Sequence, residues 1–110
     1  MTDEGGEERD YDCPPPPQFA GARVREMHIV NRKGLHAGAT AKFVQCVDRF
    51  TAEIKVTRCG ETVGGDSIMG ILTLGAGMGT TITVSALGEQ AEAALDAIEE
   101  LVASRFGEDE

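Results

Sequence analysis

The chain is predicted to be an α+β domain, a four-stranded antiparallel sheet carrying three helices on one face. Three observations lead there. Short segments alternate apolar and polar side chains with the period of two that a half-wet strand needs, and longer ones repeat apolar residues at helical spacing. The two kinds follow one another in the order β-α-β-β-α-β-α. A sheet open to water on one side and roofed by helices on the other buries all of these stripes at once.

Residues 1–22 stand outside that pattern. They combine Gly, Asp and Glu with four consecutive prolines at 14–17. Such a segment has too little apolar surface to fold alone, so it is expected to be a disordered, acidic and proline-rich extension. The folded domain is expected over 23–107, with an acidic tail at 108–110. Its first strand is read at 24–30, where Met27 and Ile29 alternate with Glu26 and His28, so His28 should point away from the helices. From 37 to 50, Ala39, Phe43, Val47 and Phe50 share one helical face, with Lys42, Gln45, Asp48 and Arg49 opposite. Residues 53–58 turn Ile54 and Val56 inward, and a tight turn at Cys59-Gly60-Glu61 leads to a strand around Thr62 and Val63, which makes a hairpin.

Ser67 fits the N-cap of a short helix over 68–74. Glycines 75, 77 and 79 end that helix and lead into a β-branched strand over 80–86. A nucleotide-binding loop would instead open a helix and carry a Walker lysine. The last helix, over 89–106, buries Ala91, Ala94, Leu95, Ile98, Leu101 and Val102 and turns Glu92, Asp96, Glu99 and Glu100 to water.

Composition narrows the function classes. With 110 residues, 41% of them apolar, there is material for one core and not two. No apolar run approaches the roughly 20 residues of a membrane-spanning helix, and the acidic start is unlike a signal peptide, so a cytoplasmic protein that works away from membranes is expected. The net charge of −9 arises at the ends: residues 1–22 hold six acids and one base, and 108–110 hold three acids. The remaining ten acids and nine bases nearly cancel, and without clustered Lys and Arg a nucleic acid is not an expected partner. Cys13, Cys46 and Cys59 are odd in number and show no C-x-x-C spacing. Free thiols are expected, Cys13 in a mobile tail and Cys46 near the core, rather than a disulfide or a zinc site.

The chemistry-bearing string is Gly34-Leu35-His36-Ala37-Gly38-Ala39, in which a glycine turn places His36 at the start of an amphipathic helix. Free N–H groups and a partial positive charge at such a helix end stabilise an anion, and imidazole is a competent nucleophile near neutral pH. A reversibly phosphorylated histidine follows from that pairing; a simple helix cap is the plainer alternative. A second string, Asp66-Ser67-Ile68-Met69-Gly70, lies downstream and is followed by the glycine-rich loop and an acidic final helix. With this order and separation, the chain resembles the histidine-containing phosphocarrier (HPr) family of the bacterial phosphotransferase system over about residues 24–106.

The resemblance implies an open-faced β-sandwich and a phosphoryl-carrier intermediate rather than a free-standing enzyme. It implies that His36 accepts a phosphoryl group from phospho-enzyme I on Nδ1 and passes it to a IIA-type protein, in a sugar- or nitrogen-linked relay. No metal or organic cofactor is needed in such a carrier, and a monomer is expected. Partner contacts are implied at Ala37, Gly38, Ala41, Lys42 and Gln45 on the first helix and at Ile68, Met69 and Leu72 on the short one. Ser67 matches the family's regulatory serine, the target of HPr kinase/phosphorylase where that enzyme exists. The family usually has arginine where this chain has Gly38, which removes a guanidinium from beside the phosphoryl group. A non-transferring regulatory interaction module of the same family is therefore the alternative function. Arg32 and Lys33, just before the turn, are the other candidate cations.

Overall fold

The computed structural model describes residues 13–110. Strand β1 (Arg23–His28), helix α1 (Ala37–Val47), strands β2 (Glu53–Arg58) and β3 (Glu61–Gly64), helix α2 (Ile68–Thr73), strand β4 (Thr81–Leu87) and helix α3 (Ala91–Ala103) follow in that order, and a 3-10 turn spans Arg105–Gly107. All strand pairs are antiparallel, in the spatial order β1-β4-β2-β3. This is the open-faced α+β arrangement anticipated from the alternation pattern.

Register explains the core. Met27 pairs with Ile82, and Val84 lies between Arg25 and Val56, so these cross-strand rows point to the same side. That side meets the apolar stripes of the helices: Phe43, Ile71, Leu95 and Ile98 are completely or almost completely buried. Burying each such side chain contributes roughly 1.5–3 kcal/mol, which anchors the helices and leaves their ends free for other work. His28 lies in an outward row with Thr81, to which its Nδ1 is hydrogen-bonded at 3.0 Å. No helix among the described residues is long and apolar enough to cross a membrane.

Several boundaries differ from the sequence reading, each for a local reason. Helix α1 stops at Val47, and the chain reaches the half-buried Phe50 through tighter bonds, Arg49 N–H to Cys46 O and Phe50 N–H to Val47 O. Helix α3 stops at Ala103 rather than continuing to 106. Arg105 and Phe106 take left-handed backbone angles, φ 60° and 56°, and that reversal sends the Phe106 ring into the core, fully buried. The acidic face of α3 is also more than a wet surface. Arg25 reaches across to it, donating to Asp96 at 2.8 Å, Glu99 at 2.7 Å and Glu92 at 2.8 Å.

The cysteines overturn the expectation of three free thiols. Cys13 and Cys59 form a disulfide with Cα atoms 4.7 Å apart, while Cys46 is free and buried. The partners are 46 residues apart in sequence, and they meet because the extension folds back across the sheet. Spacing could not show that. Of the extension anticipated over 1–22, residues 1–12 lie outside the described part; residues 13–22 contain no helix and no strand before Arg23, yet they are tied to the domain.

Candidate functional site

His36 is the N-cap of α1. Its backbone is extended (φ −74°, ψ 179°), and its side chain accepts from the Gly38 N–H through Nδ1 at 3.1 Å. The turn before it is forced by crowding: Gly34 has φ +67°, and a Cβ there would stand 2.5 Å from the Ala76 carbonyl oxygen. Glycine is the residue that permits both the angle and the approach. Leu35 N–H donates to that same carbonyl at 2.9 Å, and Gly79 N–H to Ile29 O at 2.8 Å. The glycine-rich loop therefore acts as scaffolding for the histidine turn.

The other ring nitrogen faces a residue that sequence reasoning assigned only to an acidic tail. Nε2 of His36 lies 2.5 Å from Glu108 Oε2, and the other carboxylate oxygen of Glu108 accepts from Asn31 Nδ2 at 3.1 Å. Asn31 is fully buried and also donates to Gly34 O at 2.8 Å, so it links the carboxylate to the turn. The hydrogen bond from His36, then that from Asn31, hold the Glu108 carboxyl below the usual carboxylate range. With Glu108 ionised, the proton of a neutral ring belongs on Nε2 and the lone pair on Nδ1. Glu108 reaches this position because of the left-handed turn at Phe106, whose carbonyl is held by Lys42 Nζ at 2.7 Å. A lone Phe in a charged C-terminal run was the available signal: one buried ring there requires the chain to fold back.

Gly38 has a structural consequence beyond the absent guanidinium. A Cβ at that position would stand 2.9 Å from His36 Cε1, so the ring leans over space that any other residue would occupy. The two cations before the turn differ in what they face. Arg32 pairs with Glu110 at 2.6 Å, and its backbone N–H donates to Glu110 O at 2.9 Å. Lys33 is close enough to Glu108 to contribute to lowering its pKa.

The other anticipated residues are distributed as follows. Ala37 and Gln45 are exposed on α1, Ala41 is half-buried, and Lys42 is tied to the C-terminal turn. Ser67 caps α2, its Oγ accepting from Gly70 N–H at 3.0 Å. Beside it, Met69 is 71% and Ile68 42% exposed, whereas Leu72 is half-buried. Helices α1 and α2 pack against each other, so these side chains and the His36 turn belong to one helical layer.

The family profile described as PTS HPr component, phosphorylation site, matches residues 24–104. The chain belongs to the HPr family. It is 43% identical over 86 residues to the phosphocarrier protein HPr of Cupriavidus necator, covering 78% of this chain and 97% of that protein. It is 42% identical over 84 residues to the phosphocarrier protein NPr of Shewanella violacea, covering 76% of this chain and 92% of that one. Among solved structures, HPr-C-His from Thermoanaerobacter tengcongensis superposes with a TM-score of 0.77 at 38% identity, over 80% of this chain and 99% of the other. Membership places the protein among the phosphocarriers of the bacterial phosphotransferase system. The profile's span stops short of Glu108 and does not reach Cys13.

Proposed function

We propose that the protein is a cytoplasmic carrier that takes a phosphoryl group from phospho-enzyme I onto Nδ1 of His36 and delivers it to a IIA-type protein. The observation that carries this reading is the orientation of the ring. Nδ1 accepts from the amide of Gly38 at the start of α1, while Nε2 is held by Glu108. The Gly38 N–H releases Nδ1, whose freed lone pair attacks phosphorus as the bond from phosphorus to the donor's nitrogen breaks, and the Nε2 proton stays against the Glu108 carboxylate. The new phosphoryl oxygens then meet free N–H groups at the helix start, where negative charge is favoured. Positioning and electrostatics suffice for such a transfer, and delivery to the next acceptor is the same displacement in reverse.

The contact surface in this reading combines Ala37, Gly38, Ala41, Lys42 and Gln45 with Ile68, Met69 and Leu72. Exposed Met and Ile suit a patch that several partners must use. Ser67 is the regulatory position: a phosphate on its Oγ sits at a helix N-terminus, which tolerates charge, and adds about −1.5 to −2 beside the patch. Incubation with enzyme I and phosphoenolpyruvate should yield one equivalent of acid-labile phosphate, lost in His36→Ala. Label that persists in His36→Ala would overturn the assignment. The second reading, a regulatory module that binds partners without relaying phosphate, draws support from Gly38. It predicts partner binding with no acid-labile phosphate in the same experiment.

A further inference from the structure

The sheet face opposite the helices should be open to water, yet three polar residues on it are buried. Thr57, Thr83 and Ser85 are 4%, 8% and 3% exposed. Glu26, Thr83 and Thr57 form one outward row across β1, β4 and β2, and Lys55 and Ser85 stand together in the next. Residues 13–22 run over these rows. Pro14 and Pro16 line a cleft with Glu26, Thr57 and Thr83. Lys55 Nζ lies 5.6 Å from the centroid of the Phe19 ring, and a Cβ on Gly21 would touch Leu87 at 3.4 Å.

Prolines 14–17 carry no N–H to bond to the sheet and are exposed, so they add no backbone donor to offset the conformational entropy of ordering this strap. Its fastening is the Cys13–Cys59 disulfide. Cys59 stands at the tip of the β2–β3 hairpin with φ +48°, and both cysteines are partly exposed, so a thiolate can approach the bond. The remaining cysteine, Cys46, is buried in the core and cannot reshuffle with them.

We propose that Cys13 and Cys59 form a redox latch that closes residues 13–22 over the outer face of the sheet and opens to a protein or small-molecule dithiol. A thiolate of the dithiol attacks one sulfur, the Cys13–Cys59 bond breaks, and a mixed disulfide forms. The second thiol of the reductant then displaces the remaining cysteine. Two electrons pass; Cys13 and Cys59 end as thiols, the reductant as a disulfide, and an oxidised dithiol reverses the exchange. The physiological sense of the latch rests on the cytoplasmic reading above, since disulfides in that compartment are typically transient or redox-sensing. Its chemistry does not involve His36.

The test uses the full chain, oxidised in air and then titrated with mixtures of reduced and oxidised dithiothreitol. Peptide mapping after alkylation should find Cys13 linked to Cys59 before reduction, with Cys46 protected until the protein is denatured. On reduction, amide exchange at Ala22, whose N–H donates to Phe19 O at 2.9 Å, should accelerate by about tenfold or more while the sheet and helices keep their protection. Cys13→Ser should exchange as fast without any reductant. Absence of the 13–59 linkage, or equal exchange at Ala22 in the oxidised, reduced and Cys13→Ser proteins, overturns the latch. Phosphorylation of His36 by enzyme I is followed in the same samples. Its failure in all of them would count against the carrier reading while leaving the exchange result to decide the latch.

Discussion

At the scale of single residues, the site turns on what touches the two nitrogens of His36. Because hydrogen bonds from His36 and Asn31 lower the pKa of Glu108, its ionised form is favoured in the folded state. A group of this kind contributes stability above its unfolded value, 4.5, and the contribution is lost as pH falls through the lower folded value. Glu108→Gln should therefore unfold at lower urea than the parent at pH about 6, and the two midpoints should draw together as pH falls below 4.5. The same variant removes the negative charge that favours the proton on Nε2, so transfer from enzyme I should slow by up to about tenfold. Gly38→Arg tests the other nitrogen's surroundings. A guanidinium beside the phosphoryl group contributes about 1.5–3 kcal/mol if fully realised, which corresponds to roughly ten- to hundredfold in rate. Its Cβ must first displace the His36 ring, 2.9 Å away. Gly38→Ala makes the same displacement without the charge, so the rate ratio of the two variants isolates the guanidinium. Equal rates would show that its absence is not what limits this chain.

At the scale of elements, each short helix is a positioned end. Helix α2 has six residues and too little length to be stable alone, so its start depends on the Ser67 cap and its body on the buried Ile71. Ser67→Ala should cost about 1 kcal/mol by chemical denaturation, the usual penalty for a lost cap. Ser67→Asp keeps an acceptor for Gly70 N–H and adds a charge that the helix end favours, so its stability should stay near the parent's while transfer from enzyme I slows. A melt and a transfer rate that fall together in Ser67→Asp would argue for a cap and nothing more. The end of α3 works differently. There the left-handed pair at Arg105 and Phe106 closes the helix, seats one ring in the core, and returns Glu108 to the histidine.

Across the whole molecule, charge is arranged in opposed groups. Arg25 on β1 gathers Glu92, Asp96 and Glu99 of α3, joining an edge strand to the last helix. The arginine side chain is 24% exposed and its partners are more than half exposed, so each pair is screened by water. Arg25→Ala should accordingly cost only about 1–2 kcal/mol for the network, and the cost should shrink at high salt. A loss that is insensitive to salt would assign the role of Arg25 to packing of its aliphatic stem.

Much of this protein was legible in the sequence because it depends on local periodicity. Alternation at Met27 and Ile29, Ile54 and Val56, together with helical stripes at Ala39, Phe43 and Val47, was enough for the four-stranded sheet and its helical roof. The glycine turn before His36 and the cap at Ser67 are also local, resting on neighbours within a few residues. What the tertiary structure alone decided involves partners far apart in the chain. Glu108 meets His36 across 72 positions, Cys13 meets Cys59 across 46, and Arg25 meets α3 across about 70. Periodicity reports which face of an element is apolar, but it does not say where a tail returns. That is set by the burial of Phe106 at one end and the fold-back of the proline-rich strap at the other, and both become visible only when the core they close upon exists.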